Sequence, residues 1–276
     1  MSVSTTVDSP RMAYSVLERR ATVTTAGALL LLAGGAWWLT IRQAEDMTGM
    51  VQGLAQVGGA MPFDMMAPVF LAMWVTMMVA MMFPTIAPVV LLHRMVIRRQ
   101  GGGPAATVSF VGGYLLVWAV AGVIPLAILQ GFRSVTGEAM WVGRLCGAVL
   151  LVAGAYQFTS WKQACLKACR SPLTFLSTHD FGRGLRGTVR AGVSHGAYCL
   201  GCCWALMAVL LTVGLMNLTW MAVLAVVFLA EKNWKHGVAL TRGVGIAVAV
   251  LGLVVLLAPD FLGSVATSGV MSTHDM

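Results

Sequence analysis

The chain has 276 residues, of which 58% are hydrophobic and only 10% charged, with a formal net charge of +8 and a mean hydropathy of +0.83. Soluble domains carry about 25% charged residues, so this chain has too little charge to cover a water-facing surface, which excludes an ordinary soluble enzyme, a disordered protein and a secreted disulfide scaffold. The basic excess does not point to nucleic acid either, because membrane proteins collect Lys and Arg in their cytoplasmic loops.

A spanning helix needs about 20 apolar residues. Read along the chain, seven segments answer to that: 23–41, 65–92, 105–129, 140–159, 191–213, 217–230 and 238–258. The second contains Pro84 and Pro88 and is long enough to tilt or kink, and the sixth is the shortest. The expected fold is therefore an all-α, polytopic transmembrane bundle of about seven spans. Residues 1–22 form a cytoplasmic tail, 23–258 the bundle and 259–276 a short outer tail. With the N-terminus inside, fifteen of the 18 Lys and Arg fall on cytoplasmic segments and three outside. That asymmetry favours an N-in, C-out chain. If the sixth segment only dipped into the bilayer, the division would weaken to twelve against six. The start of the chain does not read as a cleavable signal peptide, since no small-residue cleavage site follows the first apolar run. These features place the protein in a membrane, with the lipid bilayer as its first partner. Two connections are long: 42–64, rich in Gly and Met, and 160–190, which is basic and faces the cytoplasm. Long loops often carry function.

The fifth segment carries the run HGAYCLGCCW. At about 100° per residue, His195, Cys199 and Cys202 fall within about 60° of one helix face, with Cys203 at its edge. Thiolate and imidazole together suit zinc or copper. The same residues also suit packing, since Cys behaves as a small hydrophobe. Gly196 and Gly201 would let another helix come close. In the inner connection, Cys165 and Cys169 stand four apart in ACLKACR, on one face if that stretch is helical. A surface loop could join the helix cysteines only by folding back into the bundle. Cys146 stands alone and reads as packing.

Methionine is concentrated between Met61 and Met82. Met73, Met77 and Met81 recur on one side of the second segment, with Met78 and Met82 on the neighbouring row. Thioethers suit Cu(I), although Met also fills core gaps. Met207, Met216 and Met221 lie on later segments. Among other polar groups, Tyr156 and Gln157 close the fourth segment. Glu231 and Lys232 close the sixth, where snorkelling or an adjacent ion pair accounts for them. His93 reads as interfacial, and His179, His236 and His274 as solvated.

Together, MWVTMMVAMMFP, AYQFTSWKQACLKACRSPLTFL and HGAYCLGCCWALM, followed by GLMNLTWM and Glu231–Lys232, resemble an uncharacterised bacterial family of predicted metal-binding integral membrane proteins with a domain of unknown function. The resemblance covers about residues 65–257. It implies that Cys165, Cys169, His195, Cys199, Cys202 and Cys203 are metal-associated, and the methionine pattern adds Met77 and Met81. The favoured expectation is a membrane protein that binds a transition metal ion, Cu(I) over Zn(II), for metal handling or as the membrane partner of a metalloprotein. A membrane oxidoreductase with a metal or thiol centre, a metal transporter and a structural membrane subunit are the alternatives. Whether the protein is an enzyme, and its oligomeric state, stay open at this point.

Overall fold

The structure, a computed structural model, describes residues 9–47, 63–133, 139–171, 175, 184–214 and 217–258. Residues 1–8, the tail 259–276, most of the 42–64 connection, Met61, Met216, His179 and His274 lie outside the described residues. The described chain is all-α. Its helices in order are α1 (Ser9–Met47), α2 (Phe63–Arg99), α3 (Pro104–Ala121), α4 (Val123–Arg133), α5 (Ala139–Tyr156), α6 (Ser160–Arg170), α7 (Gly184–Val213), α8 (Leu218–Asn233) and α9 (Gly237–Leu257).

Five stretches are helical, long and apolar enough to cross a membrane: Arg19–Ala44, Ala67–Arg99, Pro104–Gly131, Gly184–Val213 and Gly237–Leu257. The other two expected spans coincide with the shorter helices α5 and α8, of 18 and 16 residues. Helix α1 begins at Ser9, inside the segment expected to be a tail. The third expected span is divided between α3 and α4 at Gly122. Pro125 explains the division, because its missing N–H cannot bond the carbonyl of Ala121 four residues earlier.

In a bilayer, backbone groups freed by proline must find partners within the protein. Helix α2 contains Pro68, Pro84 and Pro88. Pro84 leaves the Ala80 carbonyl without its helical donor. The indole Nε1 of Trp37, on α1, donates to that oxygen at 3.1 Å. The kink-prone turn of α2 is therefore sealed by a neighbouring helix, and Met82 and Thr85 stand on either side of Pro84.

Helices α3 and α7 cross through small residues. A Cβ on Gly113 would lie 2.5 Å from the Val189 carbonyl oxygen, and one on Gly196 would lie 3.0 Å from the Val117 side chain. Gly192 faces the Phe110 carbonyl with no room for any side chain. The expected close approach at Gly196 is thus present. Gly201 turns instead toward α6, where a Cβ would lie 2.7 Å from Cys165 Sγ. A second close crossing joins α5 to α9 through Gly147, Gly154 and Gly252.

Within the 160–190 connection, α6 folds back against the longer helices. Thr159 caps α6, its side chain accepting from the Lys162 amide at 3.2 Å. Lys162, Leu166 and Cys169 of this short helix are buried. Lys162 Nζ donates to Glu231 Oε2 of α8 at 2.9 Å, and Arg170 Nη1 donates to the Glu231 carbonyl at 2.5 Å. These bonds hold α6 inside the bundle beside α7 and α8.

Candidate metal centre

The sulphurs gather where α6, α7, α8 and α2 meet. The period of α7 aims Cys199, Cys202 and Cys203 into the core, and all three are buried. Cys202 Sγ lies 3.4 Å from Cys203 Sγ and bonds the Cys199 carbonyl at 3.2 Å. From α6, Cys169 Sγ reaches to 3.9 Å from Cys202 Sγ. Cys169, Cys202 and Cys203 all lie near the Cys199 thiol. Cys165, one turn earlier on α6, is half-buried with its sulphur packed against Gly201. Burial pushes the Cys165 thiol pKa up. All six cysteines are free thiols.

The position beside Cys199 is held by an ammonium. Lys232, near the end of α8, is buried and donates from Nζ to Cys199 Sγ at 3.1 Å, to Thr85 Oγ1 at 3.3 Å and to Met82 Sδ at 3.6 Å. The Tyr114 hydroxyl of α3 also lies 3.1 Å from Cys199 Sγ. The expectation for Glu231 and Lys232 is corrected here: they neither snorkel nor pair with each other. Adjacent helical residues diverge by about 100°, so Glu231 meets Lys162 while Lys232 turns to the sulphurs. The length of α8 accounts for this. Sixteen residues span about 24 Å, less than the roughly 30 Å hydrocarbon core, so its charged end has not cleared the bundle.

His195 lies one helical turn before Cys199, in an aromatic cage. Its ring centroid is 5.2 Å from Phe175, 6.1 Å from Phe110 and 6.2 Å from Tyr114. Its Nδ1 has no hydrogen-bond partner among the described residues. His93, expected at the interface, is buried and stacks on the other side of the same aromatic group, 4.5 Å from Phe110. Met77 and Met81 are buried in the core as expected for their stripe, but the thioether that touches the polar cluster is Met82, on the adjacent row. His236 is exposed, and Cys146 is buried on α5.

Sequence reasoning missed Lys232, Thr85 and Tyr114. The available signal was a lysine closing an apolar helix too short to reach water.

Among the described residues, no three of His, Cys, Asp and Glu already have the mutual placement that holds a metal ion. The donor chemistry nevertheless fits a soft ion. Thiols and a thioether make up the cluster, and Glu231, the nearest carboxylate in sequence, is committed to Lys162. A metal–thiolate bond of about 2.3 Å puts two tetrahedral ligand sulphurs roughly 3.8 Å apart and two linear ones about 4.6 Å apart. The Cys169–Cys202 separation of 3.9 Å already falls in that range, while Cys202 and Cys203 at 3.4 Å are closer than a shared metal would leave them. Binding would require the ammonium to give way from Cys199 and the sulphurs to part slightly.

Comparison with known proteins gives one family match: the copper chaperone family PpoB2, over residues 71–255, about two thirds of the chain. The matched region contains α2 from its third turn, all four cysteines of the cluster, Met82 and Lys232. No curated protein and no solved structure matches the chain. With a match of that extent, the chain belongs to the PpoB2 copper chaperone family.

Proposed function

We propose that this protein is a multi-pass bacterial plasma-membrane protein that holds Cu(I) as cargo in its bundle and passes it to a metalloprotein partner. The observation that carries this reading is the meeting of Cys169 from α6 with Cys199, Cys202 and Cys203 from α7, next to Met82 of α2. Sulphur-only ligation selects Cu(I) among biological metals more strongly than mixed oxygen or nitrogen sets do. Membership of a copper chaperone family supports the same cargo.

In this reading Cys199 and Cys202 are the central pair, and Cys169 or Cys203 completes a two- or three-coordinate sulphur site. His195 offers an imidazole one turn away, and Cys165, Met77 and Met81 lie on the approaches. The cysteines must lose protons to bind, so copper uptake releases protons and strengthens as pH rises. A buried thiolate without a cation would regain its proton, which ties occupancy to deprotonation. The seven-span, N-in and C-out arrangement belongs to this reading and would place the cluster toward the cytoplasmic half. Nucleic acid has no part in it.

The test is elemental analysis of detergent-purified protein after growth in copper, with wild type beside Cys199→Ser/Cys202→Ser. Near-stoichiometric copper in wild type, lost in the double variant, is the expected result. Equal metal content in both would move the site away from α7. Absence of metal from wild type would leave the cluster as packing.

A further inference from the structure

The ammonium of Lys232 is an unusual neighbour for a metal site, since it already occupies cation-like ground among soft donors. It contacts Cys199 Sγ at 3.1 Å, Thr85 Oγ1 at 3.3 Å and Met82 Sδ at 3.6 Å, and lies 5.9 Å from the Phe228 ring centroid. The other buried lysine, Lys162, has its own carboxylate in Glu231. Among the described residues Lys232 contacts no carboxylate, and the ionisable group against its ammonium is the Cys199 thiol. A charged side chain within a membrane bundle is costly and marks function by default.

Resting on the copper reading above, we infer that Lys232 is the specificity-determining residue of the centre, setting its preference for a monovalent over a divalent metal through fixed charge. Two thiolates on one Cu(I) carry a net charge of −1, and the adjacent ammonium brings the assembly to zero. Two thiolates on Zn(II) are already neutral, so the ammonium leaves a buried net charge of +1. Zinc regains neutrality only by losing one more proton, from a third cysteine or from the ammonium itself. In a low-dielectric interior an uncompensated charge is strongly disfavoured, so Lys232 handicaps zinc by one further deprotonation while favouring Cu(I). The geometry suits this role: Nζ is close enough to Cys199 to neutralise it, and the Thr85 hydroxyl gives the ammonium a second partner if it retreats by a small distance from the sulphur.

Purified wild type, Lys232→Leu and Lys232→Arg would be loaded anaerobically from mixtures of Cu(I) and Zn(II) buffered by chelators, and the bound Cu:Zn ratio read by elemental analysis. Leucine removes the charge and offers no metal donor; arginine keeps the charge. The expected result is a ratio lowered about tenfold or more in Lys232→Leu, equivalent to about 1.4 kcal/mol, and held within about threefold of wild type in Lys232→Arg. A wild-type ratio in folded Lys232→Leu would overturn the inference, as would proportionate loss of both metals in both variants, which signifies packing alone. If Lys232→Leu does not fold, Lys232→Ala, also neutral and without a donor, takes its place: a lowered ratio supports the inference, and a wild-type ratio overturns it. The copper reading itself fails separately, if wild type takes neither metal or if Cys199→Ser/Cys202→Ser stays loaded.

Discussion

Lys162 and Glu231 are 69 positions apart, yet Nζ and Oε2 meet at 2.9 Å with 0% and 1% of their side chains exposed. The pair ties α6 to α8 and so determines where Cys169 sits. Deleting one member of a buried pair strands the other charge, at a cost of about 3–5 kcal/mol. Replacing both with apolar residues of similar volume is often neutral or stabilising. Glu231→Leu should therefore lower the unfolding midpoint in detergent sharply, and Lys162→Met/Glu231→Leu should recover much of the loss. A double variant no better than the single would show that the pair is not the main tie between the helices.

The crossing of α3 on α7 supplies a second prediction. Gly192 faces the Phe110 carbonyl, and Gly113 faces that of Val189. Backbone cannot yield as a side-chain end can, so Gly192→Leu should separate the helices and move the aromatic cage of His195. We expect a lower melting temperature in detergent and faster alkylation of Cys199. Gly34→Leu on α1, with open space around its Cα, should leave both unchanged. Equal effects of the two substitutions would contradict the crossing.

Much of this was legible in the sequence, for reasons that can be stated. Helices were set by runs of apolar residues, and the cysteine face of α7 followed from helical period alone. The burial of Cys169 was not legible, because it depends on Lys162 meeting Glu231, a pairing between distant elements that no local pattern encodes. Lys232 was misread because an isolated helix end offers two outlets for a lysine, water or the bundle, and the choice rests on how deep α8 sits. Met82 was passed over for Met77 and Met81 because a stripe identifies a helix side without saying which neighbour it faces. The break at Gly122 could have been read from Pro125, whose missing donor is a local property.

The orientation expected from the distribution of basic residues can be checked directly. With fifteen of 18 Lys and Arg assigned to inner segments, a cytoplasm-active reporter fused after Lys167 should function, and an export-dependent reporter fused after Met276 should function too. With a cytoplasmic N-terminus, the first result requires an even number of crossings before Lys167 and the second an odd number in all. A cytoplasmic C-terminus would mean that one of the shorter helices, α5 or α8, does not complete a crossing.

The two cysteines of α6 should behave differently although they stand on one face of the helix. Cys169 Sγ is 3.9 Å from Cys202 Sγ and hydrogen-bonds within the cluster. Cys165 packs against Gly201 and is half-buried. Loss of one thiolate donor from a shared metal should weaken Cu(I) binding by about tenfold or more in Cys169→Ser, whereas Cys165→Ser should stay within about threefold. Competition with a Cu(I) chelator measures both. Thiol chemistry gives an independent check. Burial pushes the Cys165 pKa up, and only the thiolate is the nucleophile. Its alkylation should therefore be slow at neutral pH and climb as pH rises through and beyond the ordinary thiol range. In copper-loaded protein that rate should be unchanged at Cys165 and suppressed at Cys169, where the metal would hold the sulphur. Equal protection of the two would bring Cys165 into the coordination shell and require α6 to turn on binding.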